Sequence, residues 1–478
     1  MSNNRGKYRY LFKNIGFLTL SSFASRLLSF FLIPLYTNIL STADYGKYEL
    51  VSTTIAILIP VLTINIQEGI MRFTMEKKYH NGDILSTGLK YLCFSTAVVT
   101  AALFLNYVFS LFDVIKVYTV YFWLMFVLQT VSAMLSSYIR GNERIADLSF
   151  AGVVSTVVFL LFNILFLVVL GWGLDGYFLS AIFSSLSYNV LLALKARRLL
   201  LVRSSSEKKK TASEMAEYCK PTVLNAVAWW VNSASDRYIV TYFLGVSENG
   251  IYAVASKIPG ILNIVQSIFA QAWSLSAVKE YDKEDSQGFF SKTYNTYNCA
   301  LTVGCALLIA FDRLLARILY AKDFFAAWRY VPWLTMAILF GALSGCLGGV
   351  FLAVKDSKLY ARSSVVGAVS NIILNLILTP VIGAMGAAFA TTFTYFVVWC
   401  FRIVQVRKHI KLKMHFTRDI LSYFFLLIQT AILLCISGVF LYLLQAIFVI
   451  CIASLYRKEI KDVLNYALSF LKKDEVAL

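Results

Sequence analysis

Four charged side chains interrupt stretches of this chain that otherwise read as membrane spans: Arg26, Asp236, Arg237 and Lys257. An ionised group at mid-bilayer costs ~2.5–3.5 kcal/mol on insertion scales, so each requires a partner or a wetted surface. Arg26 lies mid-span, with Ser22 and Ser29 on the same face at i−4 and i+3. Asn225, Trp229, Asn232 and Asp236 follow one another at spacings of four, three and four, which is one face of a helix. Ser256, Gly260, Asn263, Ser267 and Gln271 form a second such stripe. Fixed charge beside hydrogen-bonding stripes is chemistry for binding and passage rather than for bond making, and two stripes imply the wall of a water-filled cavity. At ~1.5 Å per residue, Asp236 and Lys257 fall at nearly equal depth in an antiparallel helix pair. They can therefore pair and merely fix two helices, or stay open to a ligand. Arg237 projects about 100° away from Asp236, so one carboxylate does not serve all three charges. Glu68 and Arg72, an i,i+4 pair at the inner end of a span, read as a helix-end pair and as a candidate cytoplasmic gate.

The elements that must carry these residues are apolar helices. Hydrophobic residues make up 59% of the 478 positions and charged residues 15%, with a mean hydropathy of +0.70. That much apolar surface requires lipid as its solvent. Stretches of about 20 apolar residues predict helices near 14–40, 47–71, 86–111, 117–139, 147–170 and 174–195. After a polar break they resume near 217–243, 249–276, 289–312, 330–354, 361–382 and 385–405. The tract Ile420–Tyr456 is too long for one span and predicts a hairpin turning near Gly438. The fold class expected is an all-α polytopic membrane protein of about 14 transmembrane helices. Residues 1–200 form an N-terminal six-helix bundle, 201–216 a cytoplasmic linker, 217–408 a second six-helix bundle, and 409–478 a C-terminal helical hairpin and tail.

Two internal repeats support the duplication. Thr37–Ser52 overlays Thr241–Ser256 at an offset of 204, with Thr37/Thr241, Leu40/Leu244, Gly46/Gly250, Tyr48/Tyr252 and Ser52/Ser256 identical. A second block, Ala146–Ser155 on Ala361–Ser370, repeats at an offset of 215. Gly46 and Gly250 each follow a short outer turn beside an acidic residue, which turn chemistry explains. Tyr45, Tyr48, Tyr252, Trp328, Tyr330 and Trp333 fall at expected interfaces, as aromatic belts do. Of the 44 lysines and arginines, Lys47, Lys116, Arg313, Arg317, Lys322 and Arg329 fall in outer loops and Arg26, Arg237 and Lys257 in spans. All the others lie on one side, which puts both termini in the cytoplasm and makes the six-helix halves parallel repeats. Segment 313–329 reads as interfacial.

The net charge of +18 sits in loops between apolar runs, so the positive-inside rule accounts for it and a nucleic-acid partner is not expected. The eight cysteines are scattered and read as apolar packers; with three loop histidines they form no metal site. No GxxxxGK[ST] cradle exists, which argues against ATP hydrolysis. The outer loops are short and carry no nucleophile or acid/base set, which argues against an enzyme.

Several of these residues resemble the polysaccharide flippases, the oligosaccharide-lipid branch of the superfamily that also holds multidrug and toxin extrusion exporters. Tyr45-Gly-Lys-Tyr48 and Gln67-Glu-Gly-Ile-Met-Arg-Phe73 carry the likeness in the first half. Asp236-Arg237 followed by Asn249-Gly-Ile-Tyr252 and Ala255-Ser-Lys257-Ile resembles that family's seventh-to-eighth helix signature, and Gly386-Ala-Ala-Phe-Ala390-Thr the start of its twelfth helix. The resemblance implies two bundles facing each other across a cavity in the bacterial cytoplasmic membrane. It implies alternating-access transport of undecaprenyl-pyrophosphate-linked oligosaccharide units for O-antigen, capsule or exopolysaccharide. No cofactor is implied beyond a coupling ion, Na+ or H+; membrane lipids, a polymerase and glycosyltransferases are implied partners. On that reading Arg26, with Arg237 or Lys257, attracts the pyrophosphate, since a guanidinium fork matches phosphate oxygens. Asn225, Asn232, Asn263, Ser267 and Gln271 offer hydrogen bonds to sugars, Trp229 either stacks on a ring or packs, and Asp236 is the coupling-ion candidate. A multidrug exporter and a peptidoglycan-precursor flippase are the rival cargoes. Three intramembrane cations against one deep acid disfavour cationic drugs.

Overall fold

A computed structural model describes residues 30–76, 78–200, 207–279, 281–354 and 356–465. Among them the chain forms helices and no strand. We number the helices α1 (Ile33–Ile39), α2 (Thr42–Leu62), α3 (Ile66–Met75), α4 (Asn81–Phe109), α5 (Asp113–Val117), α6 (Thr119–Gly141), α7 (Ile145–Asn163, extended by a π-turn to Val169) and α8 (Gly173–Leu200). There follow α9 (Lys208–Leu244), α10 (Val246–Ala255), α11 (Gly260–Lys279), α12 (Phe289–Leu319), a 3-10 segment (Lys322–Arg329), α13 (Val331–Ala353), α14 (Ser357–Ile382), α15 (Ala384–Val406), α16 (Phe416–Cys435), α17 (Val439–Leu455) and α18 (Arg457–Asn465).

Among the described residues, nine helices are long and apolar enough to cross a membrane, and twelve if each sharply bent pair is one span. The first expected span lies largely outside the described residues, and α9 is less apolar because its polar stripe interrupts it. With α9, thirteen of the expected fourteen are accounted for among the described residues. The terminal hairpin is present: α16 ends at Cys435 and α17 begins after Gly438, whose φ of +85° only glycine adopts without strain. Two buried glutamines staple it, the Gln429 Nε2 donating to Gln445 Oε1 at 3.0 Å and the Gln445 Nε2 to the Gln429 carbonyl at 2.8 Å.

The chain divides into two compact units, residues up to Thr241 with Gly245–Gly250, and Tyr242–Leu244 with the chain from Ile251 onward. Each repeats one packing plan. In the first, α8 packs on α6 and α7; in the second, α15 packs on α13 and α14. The first unit includes most of α9, where the sequence reading opens the second bundle. The reason is apolar: Met215 and Cys219 of α9 complete a buried cluster with Ile66, Ile70 and Phe73 of α3, Ile84 of α4, and Met134 and Tyr138 of α6. Gly69 leaves room for this, since a Cβ there would meet Cys219 Sγ at 2.6 Å. Residues 208–216, read as linker, are the first turns of α9. In the second unit a buried polar network ties the hairpin to α12. Arg418 pairs with Asp419 and Glu459 and donates to Asn295 Oδ1 at 3.0 Å, while Tyr423 donates to Asn298 Oδ1 at 2.9 Å.

Two expected spans are broken. The 47–71 span is α2 and α3, bent by 57° at Thr63–Asn65, and the 249–276 span is α10 and α11, bent by 54°. At the first break Ile64 and Asn65 both have positive φ, which ends the helical backbone, and the Thr63 N–H and hydroxyl both donate to the Ile59 carbonyl. At the second, Pro259 cannot donate a backbone N–H, and Ser256–Pro259 form a turn. The 204-residue offset would place the first break at 267–269, so the duplicated element breaks at two different levels. Another difference concerns 313–329: α12 continues as a helix to Leu319, and only Lys322–Arg329 is a separate 3-10 segment.

Candidate functional site

A polar constellation of side chains joins α9 to α2 in the first unit. Arg237 reaches across to Glu49, its Nη1 standing 2.6 Å from Oε2, and donates also to Thr53 Oγ1 at 3.0 Å. Tyr45 donates to the other Glu49 oxygen at 2.8 Å. Trp230 Nε1 donates to the Thr53 carbonyl at 3.0 Å, and the Thr54 and Tyr238 hydroxyls share a hydrogen bond. Further in, Asn65 donates to Thr222 Oγ1 at 2.9 Å and accepts from Gln67, and Tyr79 donates to Glu214. Thr222, Trp230, Arg237 and Tyr238 of α9 thus face α2 and its break from α3, and Met215 and Cys219 face α3. The stripe picked out by sequence lies about 100° round: Asn225 and Trp229 are exposed, Asn232 is half-buried and Asp236 is buried toward the C-terminal end of α9.

Glu49 is the partner that the sequence reading did not assign. Period-3.6 spacing along one helix cannot show a contact made across two. Its apolar setting also hid it: Tyr36, Tyr45 and Tyr177 are buried around it. Tyr45 and Tyr252, expected at a lipid interface, are in fact packed inside protein, at 1% and 3% exposure. Glu49 and the buried Asp312 on α12 also revise the count of one deep acid. The charge argument against a carrier of cationic molecules is therefore weaker than the sequence made it.

The remaining candidates are placed as follows. Arg26 lies outside the described residues, as does the side chain of Gln271. Asp236 directs Oδ1 to the Arg237 backbone N–H at 2.9 Å. Lys257 is half-buried in the turn that breaks α10 from α11, its N–H bonded to the Val254 carbonyl. Asn263 is exposed and Ser267 half-buried on α11, the latter bonded to the Ile264 carbonyl. Glu68 and Arg72 do not pair: Arg72 Nη2 lies 2.9 Å from Glu76 Oε1, because the chain turns extended at Glu76 and folds that carboxylate back over the last turn of α3.

Gly46 and Gly250 are not turn residues. Both lie inside helices, at a backbone crossing. A Cβ on Gly46 would sit 2.0 Å from the Val246 carbonyl oxygen, and one on Gly250 would sit 1.9 Å from that of Thr42. The Thr42 and Ser247 hydroxyls share a hydrogen bond of 2.6 Å there, and Asn249 Nδ2 donates to the Gly46 carbonyl at 3.3 Å. This is small-residue helix packing, in which the absence of a side chain lets two backbones touch.

A duplicated, many-helix membrane protein with two broken spans and polar stripes has the construction of a secondary transporter. The comparisons with known proteins agree. The family described as Polysaccharide biosynthesis protein matches residues 11–275, more than half of the chain. The chain is 23% identical over 287 residues to the probable low-salt glycan biosynthesis flippase Agl15 of Haloferax volcanii, covering 58% of each chain. It is 27% identical over 179 residues to the uncharacterized membrane protein MJ1068 of Methanocaldococcus jannaschii, covering 36% of this chain and 35% of that one. The chain thus spans less than two thirds of the length of these curated relatives. Among solved structures, the lipid II flippase MurJ in an inward closed conformation aligns with a TM-score of 0.68 at 16% identity, over 94% of this chain and 99% of that one. An inward-facing multidrug resistance MATE transporter of the MOP superfamily aligns at 0.59 and 14%, over 82% and 95%. At those identities the likeness is one of fold. The chain belongs to the polysaccharide biosynthesis protein family, and the resemblance carried by its motifs is borne out at that level.

Proposed function

We propose that this protein is a flippase that carries a lipid-linked oligosaccharide across the membrane by alternating access, its cargo a sugar unit on undecaprenyl pyrophosphate. The observation that carries this reading is the α9 stripe. In a helix whose other face is spent on α2 and α3, Asn225 and Trp229 remain exposed and Asn232 half-exposed, among apolar neighbours. An amide and an indole at one-turn spacing fit hydroxyl-rich rings, which hydrogen-bond at their edges and stack on aromatic faces. Membership of a polysaccharide biosynthesis family and the relation to a probable glycan biosynthesis flippase support the cargo class. Lys257 in the α10–α11 turn, with Arg26, supplies positive charge for the pyrophosphate, and Asp236 is the coupling-ion candidate. Arg237 is assigned here to holding Glu49. Both termini face the cytoplasm on this reading, Glu68 and Arg72 remain gate candidates, and the proteins that make and polymerise the sugar chain are its partners.

The test is reconstitution in liposomes with a fluorescent polyprenyl-pyrophosphate oligosaccharide and an impermeant quencher. Transfer of label to the protected leaflet is expected, reduced in Trp229→Ala and Lys257→Ala with protein recovery unchanged. No transfer by the unaltered protein would sink the reading. The near full-length fold match to a lipid II flippase favours one second cargo, a peptidoglycan precursor, which enters the same assay as a competitor.

A further inference from the structure

In the second unit Asp312, on the outer half of α12, is completely enclosed, and neither of its carboxyl oxygens has a hydrogen-bond partner among the described residues. An ionised carboxylate in such a place would carry a desolvation penalty of several kcal/mol with nothing to offset it. Its one adjacent cation is committed elsewhere. Arg313 Nη2 donates to the Leu433 carbonyl of α16 at 2.6 Å, and its guanidinium lies over the Trp328 ring at 4.2 Å. The elements packed against α12 supply no substitute. Neither α13 nor α17 contains an Asp, Glu, Lys, Arg or His. On α16, Arg418 and Asp419 pair with each other at the opposite end, and Lys279 of α11 is at that end too. Arg317, and Lys322, Asp323 and Arg329 of the 3-10 segment, are exposed to the surroundings.

Enclosed, with no hydrogen-bond partner and no uncommitted cation among the described residues, this carboxyl has a place for a proton and for little else. A purely structural acid would donate that proton to a carbonyl, since a buried polar group left unmade costs about 1–3 kcal/mol. The position along the helix is equally specific. Ser291, Asn295, Asn298, Thr302, Cys305, Ile309 and Asp312 recur at spacings of four and three and are all buried, one stripe along α12. Its inner end joins the Arg418–Asp419–Tyr456 network through Asn295 and Asn298. Between Thr302 and Asp312, about 15 Å of helix, the stripe presents only Cys305 and Ile309 and so makes a dry break.

We propose that Asp312 is a proton-binding site, loaded in the conformation described here and emptied in a second one in which Arg313 leaves the Leu433 carbonyl and water reaches the carboxyl. The proton moves between bulk water and one carboxylate oxygen, and no other bond changes. The link to cargo movement rests on the transport reading above; the site itself does not.

Infrared spectroscopy of the full chain in lipid nanodiscs tests the site. A protonated-carboxyl C=O band is expected at neutral pH, lost in Asp312→Asn and displaced in Asp312→Glu, which also serves if the amide variant folds poorly. A wild-type spectrum without that band, or one that Asp312→Asn and Asp312→Glu leave unaltered, overturns the proposal. In liposomes with the fluorescent polyprenyl-pyrophosphate oligosaccharide, a pH gradient should change the wild-type transfer rate, and in Asp312→Asn the ratio of rates with and without the gradient should fall to one. A ratio unchanged from wild type overturns it as well. If the unaltered protein transfers nothing, the transport reading fails and the infrared result alone decides the site.

Discussion

Replacing Glu49 with Gln tests how much the α2–α9 contact depends on one charge. Glutamine keeps the acceptor for Tyr45 and fits the same space, so the change isolates the ion pair. Removing one partner of a buried pair costs roughly 3–5 kcal/mol, because the other charge is left uncompensated. Here the Arg237 side chain is 21% exposed and keeps Thr53 Oγ1 at 3.0 Å, so part of that cost is screened or replaced. We expect a loss of about 2 kcal/mol for Glu49→Gln. Arg237→Met should lose a similar amount by stranding the carboxylate among buried tyrosines. The double variant should recover much of it, since neither charge is then left without its partner. Equilibrium unfolding in mixed micelles, followed by tryptophan fluorescence, gives all four corners of the cycle. If the two losses simply add, to within about 0.5 kcal/mol, then the pair is not a coupled contact and α9 is held to α2 by packing alone.

Gly46→Ala places a methyl 2.0 Å from a backbone oxygen that cannot rotate away. It should destabilise by about 1–3 kcal/mol despite alanine's better helix propensity, and Gly250→Ala should do the same; a thermal midpoint at or above wild type for both would contradict the crossing. Among the described residues Arg402, buried on α15, has neutral partners, donating to the Ser344 carbonyl at 2.7 Å and Ser363 Oγ at 2.9 Å and lying over the Tyr360 ring. Arg402→Lys keeps the charge but loses the planar fork, so it should lower the unfolding free energy by about 1–3 kcal/mol; an unchanged midpoint would show that charge alone suffices there.

Helix number, duplication and the terminal hairpin were legible because apolar length and turn residues act locally. Gly438 sits where an over-long apolar tract had to turn, and the α9 stripe lies on one face as its spacing required. What was not legible depends on contacts between helices distant in sequence. Glu49 sits 188 residues from Arg237, and nothing in its own neighbourhood marks it as a partner. Tyr45 reads as a belt residue by position, and only packing puts it inside. The breaks at Thr63–Asn65 and Ser256–Pro259 were missed for a different reason: mean apolarity runs on through them, while the backbone does not. Asn65 and Pro259 were the local signs, one tolerant of left-handed backbone and the other lacking a donor.

The glycine crossing has the logic of an isologous joint. Gly46 meets Val246, which the 204-residue offset equates with Thr42, and Gly250, the equivalent of Gly46, meets Thr42 itself. Each copy of a short motif thus grips the other with the same atoms, as the two halves of a symmetric dimer do. Joined in one chain, such a handshake no longer depends on protein concentration, and each copy is free to acquire substitutions that a homodimer would have had to accept twice.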